Sequence, residues 1–436
     1  MHETRRVRSG TRSLRPPRVL LPVLAAASLA LTTAVGLPFD GGLAAQVSSE
    51  EVRALWVLRT SLISPQSINT MVRAAREHGF NTLLVQVRGR GDAWFAGGLE
   101  PRAADLQRQP QSFDPLATVL EAARDAGLRL HAWVNVNLVS SAVDLPAART
   151  HLIHRHPEWL MVPRDIAQDL AKAGPQSPAY VGRLARWTRA QSDVEGLYAS
   201  PVTAGAAAHV EGVVRDLARR YALDGIHLDY ARYPSSRFDY SRTAIGEFKA
   251  AVRARLTPAV RRELDRKETD DLFAYPDALP ADWTAFRLER MTGLVTRLRT
   301  AIKAERPDAL FTVATAPDAQ EARAHKMQDW PRWLETRVVD AVAPMAYTPE
   351  PARFAEQIAA ARAVAGGSVV WAGIGAYRLS PGQTIENIRT ARRLGTAGFV
   401  LFSYDSLTDS RQPIADYLGL VGRSAFARPA GTEGSR

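Results

Sequence analysis

The chain has 436 residues, 46% of them hydrophobic, with 56 Lys and Arg, 45 Asp and Glu, and no cysteine. This composition is typical of a globular protein with one large domain or two ordinary ones. The lack of cysteine excludes disulfides, thiolate metal ligands and cysteine nucleophiles, so any catalysis has to use carboxylates, histidine, hydroxyls or lysine.

The first 45 residues predict an export signal. Six arginines at positions 5–18 precede an uncharged run from Val19 to about Pro38, and small residues follow at Ala44 and Ala45. A retained membrane anchor is the alternative, because the run approaches the roughly 20 residues that span a bilayer. We therefore expect an exported protein, periplasmic, envelope-bound or extracellular, that contacts the membrane only through an uncleaved N-terminal segment.

Part of the formal net charge of +11 belongs to this segment, since residues 1–45 carry a net charge of +4 and the remainder +7. The basic excess is spread along the chain without a run of five or more Lys or Arg. Nucleic-acid binding is therefore not expected, whereas attraction to anionic envelope polymers fits the charge.

After residue 51, short apolar runs rich in β-forming residues alternate with segments of helical periodicity. The eight predicted strands lie at 53–60, 81–88, 128–137, 225–230, 310–316, 339–347, 369–377 and 398–404. Predicted helices separate them, and insertions at about 138–208 and 240–282 follow the third and fourth strands. This pattern predicts a single (β/α)8 TIM barrel over residues 51–420, followed by a disordered tail at 421–436. A doubly wound sheet is the alternative, although no Gly-rich dinucleotide loop follows the first strand.

Ligands of such a barrel bind at the carboxyl ends of its strands, and alternate residues of each strand face the lumen. Three strands place polar or aromatic side chains on one face: Gln86 and Arg88, then His131, Trp133, Asn135 and Asn137, then His227 and Asp229. A purely structural barrel would carry aliphatic residues there. The pattern therefore predicts a functional barrel mouth.

The segment DGIHLDYARYP at 224–234 is the most informative. Asp229 ends the fourth predicted strand in the lumen register, with Arg232 and Tyr233 in the loop above it. A carboxyl group there can protonate a leaving oxygen, attack a sugar carbon or activate water. The alternative is a structural carboxylate paired with Arg232.

This segment also resembles a known family. The segments RALWVLR, NTLLVQVRGRGDAWF, HAWVNVN, HPEWLMV, DGIHLDYARYP, APMAY and GFVLFSYDSL are similar to those of the glycoside-hydrolase-like 10 family of bacterial envelope proteins. The resemblance implies a (β/α)8 barrel, export and glycosidase activity on a polysaccharide, with peptidoglycan glycan strands as the suggested substrate class, and we expect no cofactor. It points to Asp229, surrounded by Arg88, Asp92, Asn135 and Tyr347.

One position departs from the family pattern. Members of the family often carry a second Asp directly after the first, where this chain has Tyr230. We expect the departure to matter little, because adjacent residues on a strand point to opposite faces.

A glycosidase normally needs two carboxyl groups, about 5–5.5 Å apart for retention of configuration and roughly 6.5–9.5 Å apart for inversion. The candidate partners of Asp229 follow other predicted strands: Asp318 and Asp92 equally, then Asp405, with Glu350 also in such a position. The alternative for each is a helix N-cap, most of all for Asp318 and Asp405.

The remaining predicted site residues are expected to bind sugar. Aromatic faces stack on sugar rings and polar groups bind hydroxyls, so the predicted glycan-binding residues are Gln86, Arg88, Trp133, Asn135, Asn137, His227, Arg232, Tyr347, Tyr377, Tyr404 and Asp405. Trp94 and Tyr233 belong to the same group of strand-end aromatics. A non-catalytic glycan-binding barrel would use the same surface and stays open as an alternative.

The run HLIHRH, with His151, His154 and His156, raises a zinc hydrolase as a weaker alternative. No HExxH motif accompanies it, and the first predicted strand lacks the His-x-His of metal-dependent barrels. We therefore predict no metal site.

Overall fold

The computed structural model describes residues 50–426, so the predicted export signal lies outside the described residues. The strands are β1 (Val52–Val57), β2 (Thr82–Arg88), β3 (Arg129–Asn135), β4 (Leu138–Ser140), β5 (Leu197–Tyr198), β6 (Gly225–Asp229), β7 (Leu310–Thr315), β8 (Ala341–Ala346), β9 (Val369–Ile374) and β10 (Gly398–Phe402). Eight of them close into a parallel barrel in the order β1-β2-β3-β6-β7-β8-β9-β10, and β4 pairs with β5 in a small antiparallel sheet. The predicted (β/α)8 barrel is confirmed, and the doubly wound alternative is wrong.

The helices of the barrel and its insertions follow in chain order. They are α1 (Pro65–Glu77), α2 (Pro115–Asp125), α3 (Leu152–Arg155), α4 (Arg164–Ala173), α5 (Tyr180–Arg189), α6 (Ala204–Arg220), α7 (Arg242–Arg253), α8 (Pro258–Glu268), α9 (Ala274–Ala278), α10 (Pro280–Glu305), α11 (Ala319–Lys326), α12 (Trp330–Glu335), α13 (Pro351–Ala365), α14 (Pro381–Arg393), α15 (Tyr404–Thr408) and α16 (Tyr417–Ala425). The insertion between β3 and β6 contains α3–α5, and the one between β6 and β7 contains α7–α9. Within residues 50–426, no helix combines the length and the hydrophobicity of a membrane span.

Local sequence signals set where several helices begin. Ser64 and Ser380 each form a capping box and each precede a proline at the first helical position, at the start of α1 and α14. The serine accepts a backbone N–H that the helix leaves free, and proline has no N–H to satisfy there. These caps set where α1 and α14 begin.

Alternation along the strands separates two hydrophobic layers. The outward layer, which includes Leu55 and Val313, packs against the helices. The inward layer contains Trp56, Trp133 and Trp371 and fills the lumen. This division is what period-2 alternation predicts for a closed barrel.

Two histidines lie within the lumen below the strand ends. Burial, followed by the charge of Arg129, lowers the pKa of His131 to about 3, and burial lowers the pKa of His227 well below its usual value. The Trp56 indole N–H donates to His227 Nε2 at 3.1 Å, so the ring carries its proton on Nδ1, which lies 2.9 Å from Thr312 Oγ1. Both histidines are thus neutral parts of the barrel interior.

The C-terminal boundary differs from the prediction. Residues 417–425 form α16, in which Val421 and Ala425 are buried, and the Tyr417 hydroxyl donates to Leu379 O at 2.9 Å. The predicted disordered tail from 421 is therefore wrong for residues 421–425, because apolar side chains at helical spacing pack them onto the barrel. Residues 427–436 lie outside the described residues.

Candidate active site

A cavity of about 370 Å³ opens at the carboxyl ends of the barrel strands. It is lined by Trp56, Leu58, Arg59, Gln86, Arg90, Trp133, Asn135, Leu138, Asp229, Tyr230, Arg232, Ala314, Met345, Tyr347 and Phe402. Among these described lining residues, Asp229 carries the one carboxyl group. The cavity lies where the barrel architecture places active sites.

Asp229 ends β6 and is only 8% exposed. Burial raises its pKa to about 6, and the charge of Glu195 acts in the same direction. Arg232, the Tyr230 N–H that donates to Oδ1 at 2.7 Å, and Trp133 oppose this rise without cancelling it. A carboxyl group with this pKa exchanges its proton near neutral pH, as a general acid and base must.

Tyr230 lines the same cavity as Asp229, contrary to the expectation that the two point to opposite faces. Its φ of 50° lies in the left-handed region, which bulky residues rarely adopt. β6 ends at Asp229, so strand alternation stops there and the chain turns. The Arg232 guanidinium stacks over the Tyr230 ring at 4.7 Å from its centroid. The position where the family often has a second Asp therefore faces the cavity.

Glu195 is a functional candidate that the sequence analysis missed. It lies in the insertion before β5, accepts from Arg232 Nη2 at 2.7 Å, and accepts from the Tyr198 hydroxyl at 2.6 Å. Burial raises its pKa, but the charge of Arg232 and these hydrogen bonds outweigh burial and leave the pKa lowered. Asp229 and Glu195 are thus two neighbouring carboxyl groups whose pKa values are shifted in opposite directions.

Three predicted residues form one hydrogen-bonded wall of the cavity. Asn135 Oδ1 accepts from Trp133 Nε1 at 2.9 Å, and its Nδ2 donates to Gly89 O at 2.8 Å. Gln86 donates to Asn135 Oδ1 at 3.5 Å and accepts from Arg59 at 2.7 Å. These contacts hold the amide groups in one orientation, which suits recognition of sugar hydroxyls.

Aromatic rings form another part of the cavity wall. Tyr347 packs edge-on against Trp56 at 6.2 Å between centroids, and against Phe402 at 5.6 Å. Burial raises the pKa of Tyr347 well above its usual value, so its hydroxyl remains a donor. Tyr377 lies 6.2 Å from Tyr347 and is 46% exposed at the rim. Trp56 and Phe402 are not among the predicted site residues, although strand alternation on β1 and β10 identifies both as lumen-facing.

Arg88 does not line this cavity. A register shift in β2 between Gln86 and Arg88 removes Arg88 from the lumen face. It forms a buried ion pair with Glu100 at 2.6 Å, and Glu100 also contacts His209 at 3.0 Å. Burial raises the pKa of Glu100, but the charge of Arg88 and the hydrogen bonds from His209 and Arg88 together outweigh burial, and the pKa falls to about 2. The bulge therefore gives Arg88 a structural ion pair.

Four other predicted glycan-binding residues also lie away from the cavity lining or at its edge. Asn137 donates to Ala199 O at 2.9 Å and joins β3 to the insertion. His227 lies deeper in the lumen, as described above. Tyr404 is buried at the start of α15, and Tyr377 belongs to the exposed rim.

Three of the predicted partner carboxylates, Asp318, Asp92 and Asp405, accept structural hydrogen bonds. Asp318 caps α11 by accepting the N–H groups of Gln320 and Glu321, both at 2.8 Å. Asp92 accepts from Arg90 N at 2.8 Å and from Trp94 Nε1 at 3.3 Å within its own loop.

Asp405 accepts from Leu58 N at 2.6 Å and from the hydroxyls of Thr60 and Ser61 at 2.9 and 2.7 Å. Glu350 stands at the N-cap position of α13 without a capping hydrogen bond from its side chain. The structure brings none of the four into the lining of the cavity with Asp229.

The three histidines of HLIHRH contact different partners. His151 Nε2 bonds Arg90 O at 2.8 Å, and His154 Nε2 bonds Pro146 O at 2.7 Å. His156 contacts Glu158 at 3.1 Å and stacks on Trp159. Within residues 50–426, no group of three or more His, Cys, Asp or Glu is arranged to hold a metal ion.

Comparison with known proteins agrees with the resemblance seen in the motifs. The family described as Glycosyl hydrolase-like 10 matches residues 51–391. Glycosyl hydrolase DigH of Escherichia coli (strain K12) is 24% identical over 345 residues, which cover 70% of this chain and 67% of DigH. Glycosyl hydrolase YngK of Bacillus subtilis (strain 168) is 22% identical over 348 residues, which cover 72% of this chain and 57% of YngK.

Solved structures share the fold at lower identity. The PgaB (BpsB) glycoside hydrolase domain from Bordetella bronchiseptica superposes with a TM-score of 0.59 at 15% identity, covering 87% of this chain and 100% of that domain. A catalytic mutant of Gan42B, a GH42 beta-galactosidase from G. stearothermophilus, gives a TM-score of 0.55 at 12% identity, covering 87% of this chain and 58% of that one. At these identities the likeness shows the barrel fold alone.

Proposed function

This chain belongs to the glycosyl hydrolase-like 10 family, and from that premise we propose that it hydrolyses glycosidic bonds in a bacterial envelope polysaccharide, peptidoglycan glycan strands, with Asp229 as the general acid. The observation that carries the proposal is the buried Asp229 carboxyl group, with a pKa of about 6, in a cavity lined by aromatic rings and amides. Trp56, Tyr347 and Phe402 offer ring faces and edges to sugar, while Gln86 and Asn135 offer hydrogen bonds to hydroxyls.

In the proposed reaction, protonated Asp229 gives its proton to the glycosidic oxygen as the bond from that oxygen to the sugar C1 breaks. On an N-acetylated sugar, the carbonyl oxygen of the 2-acetamido group can bond to C1 in place of an enzyme nucleophile. This bond closes a ring between C1 and the acetamido group. Water then attacks C1 and reopens that ring, and the Asp229 carboxylate takes a proton from this water. One carboxyl group in the cavity therefore suffices, and the configuration at C1 is retained.

Glu195 contributes through its neighbours in this scheme. Its negative charge raises the pKa of Asp229 and holds Arg232 beside the cavity. We treat it as a positioning residue, because Arg232 and Tyr198 occupy its carboxylate oxygens.

The test incubates the purified protein with peptidoglycan glycan strands, with and without stem peptides, and identifies the products by mass spectrometry. Proton NMR at early times gives the anomeric configuration of the new reducing end. Release of oligosaccharides with retained configuration supports the proposal. Inverted products would contradict the acetamido step, and intact strands would refute hydrolysis of this substrate.

A non-catalytic glycan-binding barrel is the second candidate. The observation that favours it is the single carboxyl group among the described residues of the cavity lining. It requires the wild-type protein to bind glycan strands without releasing products, and binding to be the same in Asp229→Asn.

We further propose that the protein is exported, on the basis of the basic, apolar and small-residue order of residues 1–45. Fusion of these residues to a reporter enzyme that is active only outside the cytoplasm tests the proposal. A fusion that stays inactive would refute it.

A further inference from the structure

The loop after β2 brings Arg90 into the lining of the cavity that contains Asp229. Within residues 50–426, the Arg90 guanidinium group donates no hydrogen bond to the protein and forms no ion pair. Burial and then the charge of Arg59 lower the pKa of Arg90, so these surroundings do not themselves favour the cation. The place of this side chain in the cavity wall therefore depends on how its backbone is held.

The backbone of the loop is held on both sides of Arg90. The Arg90 N–H donates to Asp92 Oδ1 at 2.8 Å, and the Arg90 carbonyl oxygen lies 2.8 Å from His151 Nε2. The preceding carbonyl oxygen, that of Gly89, accepts from Asn135 Nδ2 at 2.8 Å. Asp92 belongs to the loop and Asn135 to β3, whereas His151 belongs to the insertion between β3 and β6. One anchor of Arg90 is thus supplied by the insertion.

The two ring nitrogens of His151 have different roles. A carbonyl oxygen can only accept a hydrogen bond, so Nε2 carries the proton and donates it to Arg90 O. Nδ1 accepts from the Ile153 N–H at 3.3 Å and caps α3. His151 is 2% exposed, and burial lowers its pKa, in agreement with this neutral form. A single buried ring therefore joins the start of α3 to the loop after β2.

Gly91 leaves room for this contact. Its φ of 69° lies in the left-handed region, which glycine adopts without steric cost. A Cβ atom at this position would lie 2.9 Å from His151 Nε2 and 3.0 Å from Val139 O. Glycine thus permits both the turn of the loop and the close approach of the ring to the Arg90 carbonyl.

We propose that His151 is a positioning residue that acts on the substrate through Arg90. By holding the Arg90 carbonyl group, it fixes the path of the loop and with it the place of the guanidinium group in the cavity wall. The insertion then reaches the site at two points, since Glu195 pairs with Arg232 at the other. This inference rests on the proposed function and gives a role to one histidine of the HLIHRH run.

Two substitutions separate the two contacts of the ring. The Asn amide lies near the position of Nδ1, so His151→Asn keeps an acceptor that caps α3 and loses the donor to Arg90 O. The longer Gln amide extends toward the position of Nε2, so His151→Gln keeps that donor and loses the cap. His154→Asn is the matched control, because it removes a bond of the same kind within the insertion, from His154 Nε2 to Pro146 O at 2.7 Å.

Kinetics on peptidoglycan glycan strands measure the effect on the site. We expect His151→Asn to raise KM about 3- to 10-fold, the range for one hydrogen bond, and to leave kcat within about twofold, because Arg90 binds substrate and transition state alike. His151→Gln should raise KM less than His151→Asn does, and His154→Asn should leave KM unchanged. When Arg90→Gln has already removed the guanidinium group, adding His151→Asn should raise KM less than about twofold. Additive increases, or a larger increase in His151→Gln than in His151→Asn, would overturn the proposal.

Amide hydrogen exchange on the full chain tests the loop without any substrate. The amides of residues 89–92 should exchange on the order of tenfold faster in His151→Asn than in the wild type or His154→Asn, while the Ile153 amide keeps its rate. Unchanged exchange in the loop would overturn the proposal, as would faster exchange with an unchanged KM. If the wild-type protein cleaves no strands, the proposed function fails and Kd for the strands replaces KM in the same comparison. If it does not bind them either, hydrogen exchange alone decides whether His151 holds the loop.

Discussion

Asp229 and Asp405 hold equivalent positions on two strands of the same barrel, yet their surroundings differ. Each lies at or just beyond the carboxyl end of a barrel strand, β6 or β10. Asp405 accepts three hydrogen bonds from the segment after β1, which tie the last strand to the first. Asp229 accepts one backbone N–H and is enclosed by aromatic rings, so its charge is poorly solvated. A position at a strand end therefore does not make a carboxyl group reactive. Burial with few hydrogen bonds to the carboxylate does, because it raises the pKa of the group.

The largest difference should appear in turnover. We expect Asp229→Asn to lower kcat about 10²- to 10⁴-fold, because the general acid is lost. Asp405 lies outside the cavity lining, and Asn has nearly the same shape as Asp. Asp405→Asn should therefore lower kcat less than about tenfold. Both rates are measured on glycan strands and corrected for the folded fraction by circular dichroism. Equal losses in the two variants would contradict the assignment of Asp229.

At pH 7.5 the free energy of unfolding should change in opposite directions in variants of Asp229 and Asp405. The pKa of Asp229 is raised from 3.8 to about 6, so the native state holds the proton more tightly and stability falls as pH rises between these values. Above pH 6 the ionised group costs on the order of 3 kcal/mol, and Asp229→Asn should recover up to that amount at pH 7.5 but little at pH 4. Asp405→Ala should instead lose about 2 kcal/mol at pH 7.5, since three donors lose their acceptor. Urea unfolding at the two pH values measures both; a pH-independent effect of Asp229→Asn would rule out the raised pKa.

The pH profile should respond to the neighbour of Asp229. With Asp229 as the acid, kcat/KM should fall above about pH 6. Glu195→Gln removes a charge that raises the pKa of Asp229 and leaves Arg232 without its partner, so this descending limb should move to lower pH. We expect a several-fold loss of kcat/KM at pH 7 and little change near pH 4.5. A uniform loss at all pH values would indicate a purely structural role for Glu195.

The smallest effect should come from Asp318. Asn caps helices about as well as Asp, so Asp318→Asn should retain α11 and change the free energy of unfolding by less than about 0.5 kcal/mol. Its kcat should stay within about twofold of the wild-type value, because the residue does not line the cavity. A loss of kcat comparable to that of Asp229→Asn would restore Asp318 as the partner carboxylate.

Much of the barrel and part of the site follow from periodicity. Sequence patterns predict the eight strands and the two insertions. Period-2 alternation also predicts the cavity positions of Asp229, Trp133 and Asn135, because one face of each strand in a closed barrel points to the lumen and the other to the helices. The same rule fails for Arg88 and Tyr230. A register shift in β2 and a left-handed residue after β6 each break the alternation, and the amino-acid sequence signals neither of them.

The residues that tune the site come from separate loops. Glu195 reaches Arg232 from an insertion 37 residues away, and Arg59 and Arg90 meet through loops that follow different strands. Loop paths depend on tertiary packing, so spacing in the chain does not predict such contacts.

The amino-acid sequence by itself determined the barrel, its insertions and a carboxyl group at the end of the fourth barrel strand, because local hydrophobic periodicity and strand ends are encoded residue by residue. Only the tertiary structure decided which strand-end carboxyl group is left poorly solvated and which charges surround it. Burial and long-range electrostatics depend on every element that packs around a group, and these set the pKa of Asp229.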